Sequence, residues 1–272
     1  MIRAKEPPPV TWAYGLTTVP NRAALLRRTL RSLAEGGFPE PLLFLDGADH
    51  RQALTLEQDT GLTVVSRPSP PLRPFGNWAL ALAELYIRQP TATYYALFQD
   101  DFVTYVNLRQ YLEACPFPEK GYWNLITFLD NEKTVAGTGT GWHESGSQAA
   151  KGKRKHLQTG RGAVALVFNQ AGVLELLTGY RMLDRPRNLT KGWRNLDGGI
   201  VNTMNAAGFR EYVHNPSLVQ HVGTESTLPA MKGIPADRSD GLPRRRWEKV
   251  AQTFRGEGFD CLELLKEING VG

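Results

Sequence analysis

The sequence lacks most of the features that would place it outside ordinary soluble globular proteins. Only two cysteines, Cys115 and Cys261, occur in 272 residues, which excludes a disulfide framework and a cysteine-rich zinc site. Its longest apolar runs, such as AVALVF at 163–168, are far too short to cross a bilayer. The opening MIRAKEPPPV has no apolar core of signal-peptide length. We therefore expect a cytoplasmic protein with no membrane partner.

Glycine-rich phosphate-binding motifs are also missing. Neither G-x-x-x-x-G-K-[ST] nor G-x-G-x-x-G follows the first predicted strand, which argues against a P-loop or dinucleotide-binding enzyme. The composition is that of a globular chain, with 41% hydrophobic and 22% charged residues. The net charge is +5, and cations cluster at 151–155, 180–194 and 244–246. These clusters are compatible with a solvated surface and with one that follows the phosphates of a nucleic acid.

Strand-like and helix-like segments alternate along the first two thirds of the chain. The predicted strands are 10–19, 41–47, 62–68, 94–101, 121–129 and 162–169, and the predicted helices are 21–37, 77–89, 106–115, 170–179 and 196–208. A strand-and-turn segment follows at 211–223, and two further helices are predicted at 244–254 and 260–268. This alternation predicts an α/β fold with a mixed, mainly parallel sheet flanked by helices, and a C-terminal helical extension.

The segment 131–160 breaks the pattern. It holds six glycines and many polar residues without apolar periodicity, so we predict a flexible, basic loop that is a lid, a binding loop or a disordered segment.

Polar residues follow several predicted strands, at the edge where open α/β sheets bind ligands. Thr17 and Thr18 end the first strand, Asp46 ends the second, and Asp100 with Asp101 ends the fourth. Two adjacent carboxylates repel each other when buried, and a hard divalent ion relieves that repulsion. The pair therefore indicates either a solvated turn or a metal site, and Asp46 by itself has the sequence of a turn residue.

Two later residues carry further candidate chemistry. Asp197 precedes a predicted helix, so it is either a helix cap or a general base. His221 follows an apolar strand, so it is either a structural histidine or a nitrogen ligand for a metal.

The order of these segments resembles that of GT-A fold glycosyltransferases over residues 10–225. The match lies in the opening strand with its threonine turn, in FQDD at 98–101, in LDGG at 196–199 and in QHVG at 220–223. The stretch PSLVQHVGTEST is similar to the late segment of N-acetylglucosaminyltransferase-type members. Gln99 departs from the family, whose acidic motif has a carboxylate there. The resemblance implies a transferase domain over 1–225, with a nucleotide-sugar half at 10–105, an acceptor half at 106–225 and a tail at 226–272.

The resemblance further implies a UDP-sugar donor and a Mn²⁺ or Mg²⁺ ion. The metal would be held by Asp101 and His221, with Asp100 nearer the sugar or ribose. The implied donor-binding residues are Thr17, Thr18, Arg22, Asp46, Asn77, Asp100 and Arg161. Asp197 would deprotonate the acceptor hydroxyl, which implies inversion at the anomeric carbon.

The acceptor is predicted from the basic loop. The predicted acceptor-binding residues are Trp142, His143, Lys151, Lys153, Arg154 and Lys155. A basic loop with an aromatic residue suits a polyanion and a stacked base, so we predict a hydroxymethylated pyrimidine in DNA, as in phage-type DNA base glycosyltransferases. A glycan or protein acceptor, and a binding module without turnover, are the alternatives.

Overall fold

Strands and helices alternate through the part of the chain that the structure describes. The computed structural model describes residues 9–68, 70–145, 162–179, 182, 196–223 and 251–270. The strands are β1 (Trp12–Thr18), β2 (Leu42–Asp46), β3 (Val64–Arg67), β4 (Tyr94–Gln99), β5 (Phe102–Thr104), β6 (Gly121–Asn124), β7 (Gly141–Glu144), β8 (Ala165–Asn169), β9 (Arg210–Asn215) and β10 (Val219–His221). The helices are α1 (Ala23–Glu35), α2 (His50–Thr60), α3 (Arg73–Arg88), α4 (Leu108–Ala114), α5 (Leu129–Val135), α6 (Gln170–Thr178), α7 (Leu196–Ala206) and α8 (Glu263–Ile268).

The main sheet of the described residues has eight strands, in the order β3-β2-β1-β4-β8-β6-β9-β7. β1 to β4 pair in parallel, β8 runs antiparallel to both β4 and β6, β9 is parallel to β6, and β7 is antiparallel to β9. Only β8 and β7 therefore oppose the common direction. The predicted α/β class with a mainly parallel sheet is confirmed, and strands from both predicted halves share this one sheet.

Apolar side chains cover both faces of the sheet. Each face packs against its own cluster of buried apolar residues. Trp12 and Leu16 of β1 and Phe98 of β4 belong to one cluster, whereas Ala13 of β1 and Leu97 of β4 belong to the other. A sheet packed on both faces explains why these strands read as nearly continuous apolar runs. Both cysteines are buried and unpaired, as predicted.

A small second sheet lies beside the end of β4. It pairs β5 antiparallel with β10 and sets His221 opposite Phe102. Hydroxyl groups of α1 bond the other side of β5: Thr29 donates to Phe102 O at 2.8 Å, and Ser32 accepts from Thr104 N at 2.8 Å. The backbone just after Asp101 is thus held between a helix and a strand from the end of the domain.

Several predicted elements differ from the structure. α2 was not predicted, although Asp49 and Gln52 form a capping box at its start. The strand predicted at 121–129 ends at Asn124, and the predicted loop contains α5 and β7 in its described part. Of the helix predicted at 244–254, only 251–254 is described, and that part is not helical. Short elements such as β7 gain their regularity from neighbouring strands, which a local pattern does not reveal.

Residues 251–270 pack on the rest of the domain through buried polar contacts. Glu132 accepts hydrogen bonds from Gln252 N and Thr253 N, each at 2.8 Å. The amide of Gln220 bonds both backbone groups of Ala251 at 2.8 Å. α8 confirms a helix near the end of the predicted extension. In the described residues, no helix is both long and apolar enough to cross a bilayer.

Candidate functional site

The site lies where β1 and β4 end side by side. The chain leaves β1 toward β2 and β3 on one side and returns to β4 on the other, so this is the switch point of the sheet. Thr17 of β1 is in register with Gln99 of β4, which puts the following residues, Thr18 and Asp100, next to each other. The sequence predicted this edge of the sheet as the site, and the topology brings its residues together.

Asp100 is buried, with 2% of its surface exposed. Thr18 Oγ1 donates to Asp100 Oδ2 at 2.6 Å, and Arg22 Nη1 donates to Asp100 Oδ1 at 2.6 Å. Burial, the largest influence, raises the pKa of Asp100 to about 6, although Arg22 and Thr18 both act to lower it.

Asp101 has a different environment. Arg22 Nη2 donates to Asp101 Oδ2 at 2.8 Å, and His221 Nε2 lies 3.2 Å from the same oxygen. Burial by itself raises the pKa of Asp101, but hydrogen bonds and charge from His221 and Arg22 outweigh it and lower the pKa to about 2. Asp101 is therefore the more firmly ionised of the two carboxyls.

Arg22 is the cation that compensates the acidic pair in the structure. Its two terminal nitrogens contact different carboxylates, and its side chain is 13% exposed. The structure places the Arg22 guanidinium between Asp100 and Asp101, and its implied part in donor binding stays a prediction. Asn21, the first residue of the predicted helix, has a left-handed backbone with φ of 70°, and Arg22 is the residue that directly precedes α1.

The described residues supply some, but not all, of the ligands that a divalent metal ion needs. Asp101 Oδ1 is buried and has no hydrogen-bond partner within the described chain. Such an orphaned oxygen, beside the imidazole of His221, is a suitable pair of ligands for Mn²⁺ or Mg²⁺, which often take one or two carboxylates and complete their shell with water and phosphate. No group of three acidic, histidine or cysteine side chains that could hold a metal occurs among the described residues. The remaining ligands would therefore come from substrate and water.

Gly223 explains how the two candidate ligands approach each other. A Cβ atom at this position would lie 2.7 Å from Asp101 Oδ2 and 3.0 Å from His221 Cε1. Val222 N, directly after β10, also donates to Asp101 O at 2.8 Å, so the backbone stays paired with the turn that holds the two aspartates. Sequence reasoning noted this glycine only as part of a motif and missed its steric role.

Asp46 lies at the end of β2, and both of its oxygens are used by backbone groups. They accept hydrogen bonds from Leu72 N at 2.8 Å and Arg73 N at 2.6 Å, at the start of α3. Burial is the main influence on Asp46 and raises the pKa of its carboxyl. Asp46 thus stabilises the start of a helix, and its implied contact with the nucleoside stays a prediction.

Asn77 does not begin a helix, because α3 starts at Arg73 and Asn77 lies one turn inside it. Its amide nitrogen donates to Phe44 O at 3.0 Å, while its Oδ1 is buried without a partner in the described residues. Arg67, at the end of β3, lies with its guanidinium carbon 5.7 Å from the centre of the Phe44 ring. The Nε and Nη2 atoms of Arg67 are also buried and have no hydrogen-bond partner in the described residues. Sequence reasoning missed Arg67, whose only signal was its position at a strand end.

Asp197 is the second residue of α7, and its carboxylate contacts a distant part of the chain. Asp197 Oδ2 accepts a hydrogen bond from Gly162 N at 2.9 Å. Gly162 precedes β8, which begins at the edge where β4 ends, since Gln99 N donates to Val164 O at 2.8 Å. The fold thus brings Asp197 to the same edge of the sheet as the acidic pair.

The predicted acceptor residues divide into two groups. Trp142 and His143 lie in β7 instead of a flexible loop, and the Trp142 ring stacks on Trp123 at 4.7 Å between centroids. That face of Trp142 is therefore not available to a nucleobase, and burial lowers the pKa of His143. The remaining predicted residues lie outside the described part of the chain: Lys151, Lys153, Arg154, Lys155 and the donor-binding Arg161.

Comparison with known proteins gives only distant likenesses. No protein-family model and no curated protein matches this sequence. Among solved structures, the chain is similar to the glycosyltransferase GlyE of Streptococcus pneumoniae TIGR4, at 10% identity and a TM-score of 0.41. That match covers 74% of this chain but only 45% of GlyE.

Two sugar-phosphate enzymes show similar values. A protein described as a glucose-1-phosphate thymidylyltransferase from Bacillus anthracis, in complex with sucrose, matches at 10% identity and a TM-score of 0.47, over 79% of this chain and 91% of its own. Mannose-1-phosphate geranyltransferase from Thermus thermophilus matches at 15% identity and a TM-score of 0.44, over 75% and 74%. All three TM-scores are below 0.5, so the functional argument rests on the site itself.

Proposed function

We propose that this protein is a glycosyltransferase of the GT-A type, which transfers a sugar from a UDP-sugar to an acceptor hydroxyl. The observation that carries the proposal is the meeting of Asp100, Asp101 and His221 at the switch point between β1 and β4. A buried acidic pair at this position, with one orphaned oxygen, suits the diphosphate of a nucleotide and its counter-ion.

Asp101 and His221 are the residues that would hold Mn²⁺ or Mg²⁺. When bound, such an ion supplies Lewis-acid stabilisation of the diphosphate leaving group. Asp100 lies beside this pair and would position the ribose or the sugar through its carboxylate. Arg22 neutralises only one of the two carboxylate charges, so the site keeps a net negative charge that a divalent cation would balance.

Arg67 and Asn77, which both contact Phe44, would form a nucleobase site. Nε and Nη2 of Arg67 are donors and Oδ1 of Asn77 is an acceptor, and none of them has a partner among the described residues. A pyrimidine base such as uracil presents both kinds of group on one edge. Leaving these buried atoms unpaired is unfavourable, so a ligand that pairs them gains free energy on binding.

Asp197 is the proposed general base. Its carboxylate would accept the proton of the acceptor hydroxyl as the acceptor oxygen attacks the anomeric carbon opposite the leaving diphosphate. The new glycosidic bond forms while the bond to the diphosphate breaks, so the configuration inverts.

For the acceptor, we retain the hydroxymethylated pyrimidine in DNA as the first candidate. Its support is the basic run at 151–155 in the sequence, since one face of the half-buried Trp142 ring stacks on Trp123. A screen by mass spectrometry separates the candidates, with hydroxymethylcytosine DNA, glycans and a peptide library each offered with a panel of UDP-sugars. An unchanged base mass with every donor would refute the DNA acceptor.

The central experiment measures release of UDP from UDP-sugars by the full chain with Mn²⁺. Activity should fall at least about 100-fold in Asp101→Asn and in Asp197→Asn. Asp59→Asn is the matched control, because Asp59 is an exposed carboxylate on α2, and it should keep full activity. UDP release that survives in Asp101→Asn would contradict the proposal. Tight UDP binding without release would instead favour a binding module, the alternative that Gln99 allows.

A further inference from the structure

Glu211 of β9 is a buried carboxylate that the proposed reaction does not use. It is 2% exposed and receives hydrogen bonds on both oxygens. Asn124 Nδ2 donates to Oε1 at 2.9 Å, and Ser145 Oγ donates to Oε2 at 3.0 Å. The Tyr122 side chain also contacts it. Burying a carboxylate is unfavourable, and several such hydrogen bonds are needed to offset it.

A continuous set of hydrogen bonds leads from Glu211 to Asp197. The same Asn124 nitrogen that bonds Glu211 donates to Gly162 O at 3.1 Å. Gly162 N in turn donates to Asp197 Oδ2 at 2.9 Å. Four residues from β6, β9, α7 and the segment before β8 are thereby joined, although Asn124 and Glu211 are 87 positions apart.

The conformation and packing of Gly162 restrict this position to glycine. Its φ is 84°, a backbone conformation that favours glycine. A Cβ atom there would lie 2.5 Å from the Phe128 ring, so the backbone packs directly against that side chain. Gly162 therefore links the two ends directly, because its own C=O binds Asn124 and its own N–H binds Asp197.

We infer that Glu211 is a positioning residue for Asp197, acting through Asn124 and the backbone of Gly162. Two acceptor oxygens let Glu211 bind Asn124 and Ser145 at once, and its charge strengthens both bonds. A neutral amide of the same size keeps one acceptor oxygen for Asn124 and can donate to the Ser145 hydroxyl, but it lacks the charge that strengthens the bond to Asn124. A general base must lie within a fraction of an ångström of its productive position. The weakened hydrogen bond therefore displaces Asp197 and lowers the rate of the reaction. The inference rests on the proposed role of Asp197.

The test is Glu211→Gln, with Glu132→Gln as the matched control. Glu132 is also a buried carboxylate with hydrogen bonds on both oxygens, but these hold residues 252 and 253. Glu211→Gln should lower kcat about 10- to 100-fold with KM for the donor within about twofold. Glu132→Gln should lose stability yet keep kcat. Provided that Asp197→Asn is impaired, equal kcat values for the two variants, measured where both are folded, would overturn the inference.

Two further readouts separate this inference from the proposed function. If Glu211 acts through Asp197, Asp197→Asn and the double variant Asp197→Asn/Glu211→Gln should have the same rate; multiplied losses would overturn the inference. Hydrogen exchange at the Gly162 amide needs no activity, and Glu211→Gln should speed it at least about tenfold. Unchanged protection there would also overturn it. If Asp197→Asn retains full activity while Gly162 exchange rises, the proposed base is wrong and the positioning of Asp197 by Glu211 stands.

Discussion

Removal of the Arg22 guanidinium tests the charge balance of the candidate site. Arg22→Gln keeps much of the side chain but leaves Asp100 and Asp101 without their shared cation. The two lost contacts are charge-assisted hydrogen bonds of 2.6 and 2.8 Å, to carboxylates whose side chains are 2% and 10% exposed. Each such bond contributes roughly 1.5 kcal/mol or more, so the free energy of unfolding should fall by about 3 kcal/mol.

The assay is urea unfolding followed by tryptophan fluorescence, since Trp78 and Trp123 are buried. Arg28→Gln is the matched control, because Arg28 also lies on α1 but pairs with Glu257 at the surface, where the side chains are 45% and 39% exposed. An exposed pair contributes about 0–1 kcal/mol, so the control should change stability little.

A double-mutant cycle with Asp100→Asn isolates one of the two contacts. The sum of the two single losses should exceed the loss of the double variant by a coupling free energy of about 1.5 kcal/mol. Equal losses in Arg22→Gln and Arg28→Gln, or additive losses in the cycle, would refute the view that Arg22 is the buried counter-ion of the acidic pair.

Three other outcomes follow from single contacts. Gly223→Ala should push Asp101 and His221 apart and abolish the stabilisation by Mn²⁺ in a thermal melt, whereas Gly258→Ala, with open space at its Cβ, should not. Glu132→Gln should lower the unfolding free energy by about 2 kcal/mol and speed hydrogen exchange across 251–270. Burial lowers the pKa of His214 to about 3, below its unfolded value near 6.5, so stability is lost as pH falls through that range. Between pH 7 and pH 5, urea unfolding should show wild type losing about 2 kcal/mol more than His214→Gln, and equal losses would contradict this.

Much of the framework follows from local sequence patterns. Apolar periodicity identified β1, α1, β2 and β4 within a few residues, because both faces of the sheet are packed and these strands are therefore continuously apolar. The same patterns placed Asp100 and Asp101 at the end of a central strand. Elements whose stability comes from neighbours, such as α5 and β7, were not predicted.

The sequence by itself determined the order of strands and helices and the edge of the sheet at which the polar residues gather. Only the tertiary structure decided which partners they have: Arg22 between the two carboxylates, His221 brought to Asp101 by β10, and Asp197 joined to Gly162. It also decided that one face of the Trp142 ring packs on Trp123. The physical reason is that apolar periodicity indicates which residues of one segment are buried, but not which residues of other segments they contact. These contacts join residues that are far apart along the chain, and the packing of the whole domain determines them.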